Sequence, residues 1–552
     1  MTVQGSKHGG KVLVDALEQQ GIKRVFSVPG ESFLAALDGL YDAGIENIVT
    51  RQEGGATMMA DAHGKLTGEP GVAFVTRGPG ATNASSGVHV AFQDSTPMIL
   101  FIGQVASDQR DREAFQEVDY RAMFGPLAKW VAEIDRVDRI PEYVARAYRT
   151  AMSGRPGPVV LALPEDMLSS PCDAAVAPAA TLPSAKAHDD DVDQVLSLMQ
   201  AAQNPLVLLG GGRWTPEAAQ AVGTLAEKLD LPVAATFRCQ DYLDNRHPNY
   251  VGDVGIGINP QLAERVRNAD YIFCLGARLG EMTTSGYTLL SAPTPTQKLV
   301  HVHADANELG RVYHPTHAVT ADAGVFAAQL AARVADQPAV APSARVTQAR
   351  ADYEAWQQPV ETPGALKMEN VIQHLNEVLP DDAILTNGAG NYAAWLHRYY
   401  RYRDFGTQLA PTCGSMGYGL PAAVAAKLER PEQEVICLAG DGCFQMTMQE
   451  FGVACEQDAN LIVLISNNGM YGTIRLHQQK KFPKRPSGTT VFNPNFAQLA
   501  QSYGAFGAVA ETDAEFRDAL AQARAANSPA IIELRIDPKA LGPMAQLEEL
   551  DN

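Results

Sequence analysis

Short apolar runs alternate with segments of helical period along most of this chain. That alternation predicts parallel sheets covered by helices on both faces. A first block reaches residue 172, with strand candidates "RVFSV", "NIVT", "GVAFVT", "PMILFIG" and "PVVLALP". The Pro/Ala-rich stretch "SSPCDAAVAPAATLPSAKAHDDD" then reads as a linker. A second block, 190–336, carries "PLVLLG", "LPVAAT", "YIFCLG" and "KLVHVHA". After "DQPAVAPSARV" a third block, 365–545, carries "AILTN", "EVICLAG", "ANLIVLIS" and "AIIELRI". The expected fold is α/β, with three doubly wound parallel-sheet domains at 1–172, 190–336 and 365–545.

Ligands of open α/β sheets bind beyond the carboxyl ends of strands. At one such end the chain reads "ICLAGDGCFQM", with Asp441 between Gly440 and Gly442. The amides of Gly442 and Cys443 would open the next helix, where free N–H groups and the dipole attract phosphate. An Asp before a helix is equally an ordinary N-cap. The next apolar run ends in Asn467-Asn468, and Asn468 lies 27 residues after Asp441. A strand–helix–strand unit of that length brings both to one sheet edge. A carboxylate, an amide oxygen and a diphosphate form the hard-oxygen set of an octahedral Mg²⁺ site.

Composition narrows the classes. The formal charge is −19, with no basic run to grip nucleic acid and no polybasic membrane patch. The seven cysteines are scattered without a CxxC pair, which fits a reduced compartment and not zinc. "MTVQGSKHGG" has no apolar h-region, and no apolar run reaches about 18 residues. A soluble cytoplasmic protein is expected.

The stretch "GDGCFQMTMQEFGVACEQDANLIVLISNN" resembles the diphosphate-binding motif of thiamine-diphosphate enzymes. "FSVPGESFLAALDGL", "RQEGGATMMADAHGKLTGEPGVAFVTRGPGATN", "AFQDSTPMILFIGQV", "AFQEVD", "SGRPGPVVLALPEDM" and "GSMGYGLPAA" resemble acetolactate synthase catalytic-subunit segments in the same order. The resemblance covers nearly the whole chain. It implies pyrimidine-binding, central and diphosphate-binding domains, in that order. It also implies a homodimer or homotetramer with the cofactor between subunits.

By the same resemblance, Glu53 in "RQEGGA" is the catalytic glutamate. A carboxylic acid against a pyrimidine nitrogen favours the imino tautomer, whose nitrogen can take the thiazolium C2 proton. Asp441, Asn468 and the Met470 carbonyl match the Mg²⁺ ligands. Gly390, Asn391, Gly440, Gly442, Cys443, Tyr471 and Gly472 match the diphosphate contacts. Met416 matches the wedge under the bent cofactor, with Gly414 offering its carbonyl to the amino group. Pro29, Gly78, Pro79, Gly80 and Asn83 match the pyrimidine side. Gln116, Lys129, Met470, Arg475 and His477 are substrate-pocket candidates. Arg155, Gly211, Gly212, Gly255, Arg278 and Asp305 fall in segments that resemble flavin-lining ones, where relatives hold FAD, ADP or nothing.

Four departures stand out. Gln52 replaces the histidine common before the catalytic glutamate, and Cys443 a frequent serine. His477 stands at a tryptophan's place, and the second arginine after "GAR" is missing. The implied activity is thiamine-diphosphate- and Mg²⁺-dependent decarboxylation of pyruvate or a similar 2-oxo acid, with carboligation to a second carbonyl compound. The alternative is a lyase or simple decarboxylase of the same cofactor class. A non-catalytic nucleotide-binding subunit is a third reading, opposed by the intact Glu53, Asp441 and Asn468.

Overall fold

Each block of apolar runs folds into a six-stranded parallel sheet. The computed structural model describes residues 7–547, so the leading "MTVQGS" and trailing "EELDN" lie outside it. The chain divides into two compact units. One holds the residues up to Pro183 together with Leu420–Glu429 and Thr447–Gln457, and the other holds the remainder.

The first unit contains β1 (Arg24–Ser27), β2 (Glu46–Val49), β3 (Gly71–Val75), β4 (Met98–Gln104), β5 (Trp130–Glu133) and β6 (Pro158–Pro164). They lie in the order β2-β1-β3-β4-β6-β5. β3, β4 and β6 are buried along their whole length, as continuous apolar runs in a parallel sheet require. The Glu53–Thr67 and Pro79–Asp94 helices press closely together. A Cβ on Gly87 would lie 2.3 Å from Thr57 Oγ1, and that hydroxyl donates to the Ala84 carbonyl at 3.0 Å. The two later segments belong here because of specific contacts. Glu429 meets Arg24 and His63, and Glu456 pairs with Arg51.

The second unit contains two of the six-stranded sheets. The central one comprises β7 (Pro205–Leu209), β8 (Val233–Thr236), β9 (Tyr250–Val254), β10 (Tyr271–Leu275), β11 (Lys298–His303) and β12 (His317–Thr320). Its order β12-β11-β10-β7-β8-β9 is that of dinucleotide-binding folds, with the switch point between β7 and β10. The third sheet comprises β13 (Ile384–Asn387), β14 (Gln408–Leu409), β15 (Val435–Gly440), β16 (Ile462–Asn467), β17 (Phe506–Ala510) and β18 (Ala530–Arg535). Its order is β14-β13-β15-β16-β18-β17.

β5, β9, β12, β14 and β17 are absent from the apolar-run reading, and all five are sheet edges. β5, β12 and β17 are only partly buried, so their sequences lack the continuous apolar signal. Among the described residues no helix is long and apolar enough to cross a membrane. None of the seven cysteines forms a disulfide.

Candidate functional site

In the first unit the candidate residues gather at the carboxyl edge of the sheet. Glu53 opens the Glu53–Thr67 helix and is 9% exposed. Its Oε2 accepts a hydrogen bond from Asn83 Nδ2 at 3.0 Å. Gly80 lies beside it, since a Cβ there would stand 3.2 Å from Glu53 Oε1. Gln52 caps this helix: its Oε1 accepts the amides of Gly54 at 2.6 Å and Gly55 at 3.2 Å. An amide oxygen therefore satisfies the first helical N–H groups.

Gly78 turns the chain from β3 into the Pro79–Asp94 helix with φ 58°. A Cβ there would meet Gln116 at 2.7 Å, so only glycine allows the two loops to touch. Gln116 itself has φ 65°, and its neighbours Asp111 and Glu113 are also left-handed. Such backbone persists only where surrounding structure enforces it. Pro29, past β1, is exposed.

Against the first turn of the Glu53–Thr67 helix, at Gly55, lies Glu450, with no exposed surface. Its Oε2 accepts the Arg51 amide at 3.2 Å. Burial pushes its carboxyl up to about 7, and the nearby Glu53 adds to the rise. Nothing in the sequence reading singled it out.

In the second unit β15 and β16 pair with Gly440 opposite Ser466, which sets Asp441 beside Asn467 and Asn468 at adjacent strand ends. Asp441 Oδ1 accepts the Gly442 amide at 2.8 Å. Its Oδ2 accepts the Gly469 amide at 2.9 Å and Asn493 Nδ2 at 2.7 Å. Burial raises this carboxyl above its ordinary range, and those donors oppose the rise. Asn468 Oδ1 accepts the Met470 amide at 3.2 Å, an Asx turn that orients the following carbonyls. The donor set of one carboxylate, one amide oxygen and one backbone carbonyl suits a hard cation shared with a diphosphate. Among the described residues no cluster of three or more His, Cys, Asp or Glu side chains could hold a metal alone.

Glycines make the cradle around it. A Cβ on Gly440 would lie 2.8 Å from the Tyr392 ring, one on Gly390 2.7 Å from the same ring, and one on Gly442 2.6 Å from Tyr471. Asn391 Nδ2 donates to the Leu541 carbonyl at 2.7 Å, and a Cβ on Gly472 would meet its amide oxygen at 2.8 Å. The Cys443 thiol points inward. Its sulfur accepts the Tyr392 hydroxyl at 3.2 Å and the Gly417 amide at 3.2 Å. It thereby ties the helix after Asp441 to the loop bearing exposed Gly414, with φ 73°, and half-buried Met416.

The remaining candidates scatter. Lys129 precedes β5, at the end of the sheet opposite Gly78, with its ammonium on the Thr150 and Ser153 carbonyls. It is not brought together with Gln116. Arg475 Nη1 reaches Thr489 Oγ1 at 3.3 Å, and His477 is exposed on the same helix. In the first unit Arg155 Nε donates to Ser95 Oγ at 2.9 Å, and its Nη2 to the Phe92 carbonyl. In the second unit Gly211 lies at the switch point, where a Cβ would fall 1.9 Å from the Gly276 carbonyl. Gly212 follows it, Gly255 follows β9, Arg278 follows β10, and Asp305 follows β11. Arg278 pairs with Glu308 at 3.2 Å, and Asp305 Oδ1 accepts from Asn307. Glycine amides at a switch point and an arginine at the same edge fit a nucleotide diphosphate in kind.

Asn493 is a further residue missed in the sequence. Its Nδ2 donates to both Asp441 and Asn467, the latter at 2.8 Å, and its Oδ1 accepts from Gln445 at 2.7 Å. Asn467 in turn donates to buried Glu533 at 2.9 Å. Asn493 sits in "VFNPNF", where Asn beside Pro reads only as a turn.

Comparison with known proteins accounts for this arrangement. Residues 7–123 match the thiamine pyrophosphate enzyme N-terminal TPP binding domain, 192–330 the central domain, and 388–534 the C-terminal TPP binding domain. The chain belongs to the thiamine pyrophosphate enzyme family, with three domains that each carry one of the six-stranded sheets. Within it, the chain is similar to acetolactate synthases. It is 30% identical to "Acetolactate synthase" of Mycobacterium bovis over 96% of this chain and 88% of the relative. It is 30% identical to "Acetolactate synthase isozyme 3 large subunit" of Escherichia coli, over 94% and 92%. To "Acetolactate synthase large subunit" of Parasynechococcus marenigrum it is 32% identical, over 96% and 87%.

Proposed function

We propose that this chain decarboxylates pyruvate or a similar 2-oxo acid and joins the remaining fragment to a second carbonyl compound, using thiamine diphosphate and Mg²⁺. The observation that carries this is the pair of adjacent strand ends at which Asp441 and Asn468 stand beside a glycine cradle. When bound, the cofactor supplies the electron sink for loss of CO₂. The protein's residues do the rest. Asp441, Asn468 and the Met470 carbonyl hold the cation. The amides around Gly390, Gly442 and Gly472 orient the diphosphate, and Met416 supports the cofactor's bend. Glu53, kept in place by Asn83, presents its carboxyl group to the pyrimidine of a cofactor held by a second copy of the chain. Gln116, pressed on Gly78, lines the acceptor side.

A homodimer or homotetramer in a reduced cytoplasm belongs to this reading, with FAD as the occupant of the central-domain crevice. Gly211, Gly212, Arg278 and Asp305 would hold that group. The test is CO₂ release from pyruvate with added thiamine diphosphate and Mg²⁺, with products identified by NMR. A C–C-joined product supports the carboligase. Aldehyde alone supports the simple decarboxylase, and no CO₂ from any of a panel of 2-oxo acids defeats both.

A further inference from the structure

The turn after β8, Phe237–Asp241, is buried and joined closely to the C-terminal domain. Asp241 Oδ2 accepts the amides of Gly406, Thr407 and Gln408, at 3.0, 3.0 and 3.1 Å. Gln240 and Gln408 exchange hydrogen bonds at 2.8 and 3.0 Å. Inside this knuckle stands Arg238, 8% exposed, with its backbone in the left-handed region at φ 62°. Its guanidinium lies over the Phe237 ring, 4.9 Å from the centroid.

The fork of Arg238 reaches two carbonyls. Nη2 donates to Gly388 O at 2.9 Å, and Nη1 donates to Pro411 O. Each carbonyl begins one of the cofactor loops. Gly388 leads through Ala389 to Gly390 and Asn391, on the diphosphate side. Pro411 O also accepts the Gly414 amide at 3.1 Å, closing the turn that presents Gly414 and Met416. A buried guanidinium committed to backbone carbonyls is costly to desolvate, and its planar fork fixes two partners at a set separation.

We infer that Arg238, a central-domain residue, is a positioning residue that sets the spacing between the loop for the cofactor's diphosphate and the loop for its pyrimidine. This rests on the functional reading of those two loops. A ligand spanning both loops should feel the loss of Arg238, whereas a ligand of one loop should not. Lysine keeps the charge but cannot grip both carbonyls.

The experiment is calorimetry of wild type and Arg238→Lys with two probes, thiamine diphosphate and inorganic diphosphate, each with Mg²⁺. The expected result is about tenfold or greater weakening for thiamine diphosphate, with inorganic diphosphate within about twofold of wild type. Misplaced reacting groups should also lower turnover of the saturated enzyme by up to about 10²-fold. Equal weakening for both probes, or none for either, overturns the inference. Hydrogen exchange on the wild type gives an answer even if the variant does not fold. Thiamine diphosphate with Mg²⁺ should slow exchange in 237–241 more than inorganic diphosphate does, and equal protection by the two overturns the inference. A wild type that binds neither probe overturns the reading of the loops, and this inference with it.

Discussion

Gly55 and Glu450 are fitted to each other: a Cβ on the glycine would stand 2.5 Å from the carboxylate's Oε1. The second glycine of "RQEGGA" is therefore a steric requirement set by a residue nearly four hundred positions away. Gly55→Ala should force the buried carboxylate out of place and destabilise the fold by about 1–3 kcal/mol, as overpacking does. Chemical denaturation of Gly55→Ala, Glu450→Ala and the double variant checks it. The coupling should offset part of the Gly55→Ala loss, and strict additivity would refute the contact.

Glu450 also makes a pH prediction. Its carboxyl is raised to about 7 in the folded protein from an ordinary 4.5. Below the lower value both states are protonated and no penalty exists. Between the two, the unfolded chain has lost the proton that the folded chain keeps, so stability falls as pH rises. Above about 7 the penalty, roughly 2–4 kcal/mol, is complete. Glu450→Gln should flatten this part of the stability profile, read from denaturation midpoints between pH 4.5 and 8. An unchanged slope would place the titration elsewhere.

Glu53→Gln should leave the fold and the metal affinity nearly intact, because an amide can keep the contact with Asn83. It cannot serve as an acid, and the loss should be about 10²–10⁴-fold in activity. The measurement is exchange of the thiazolium C2 proton. A variant retaining more than half of the wild-type exchange rate would remove Glu53 from the role.

Asp441→Ala should weaken thiamine diphosphate binding strongly, since a carboxylate and a diphosphate face each other only with a cation between them. Asn493→Ala should show a milder version. It removes a donor shared by Asp441 and Asn467, so the Mg²⁺ concentration for half-maximal cofactor binding should rise several-fold while the apo fold persists. Calorimetry in a Mg²⁺ series decides both, and wild-type affinity in Asp441→Ala would end the metal assignment.

The sequence alone determined the central strands of the three sheets. β3, β4, β6, β15 and β16 are buried on both faces, so burial and apolar run coincide. Asp441 and Asn468 were legible because one strand–helix–strand unit carries both, and parallel pairing puts their strand ends side by side. The edges β5, β12 and β17 escaped because they are only partly buried, and partial exposure leaves no run to read. Only the tertiary structure decided which polar side chains support the site. Asn493, Glu450 and Arg238 come from distant segments, and no periodicity records which carbonyl, amide or glycine a side chain will meet. The same holds for Lys129, a substrate-pocket candidate in the sequence whose ammonium instead caps the carbonyls of a helix end. Local pattern reports which faces are buried, and long-range packing settles which polar groups find each other there.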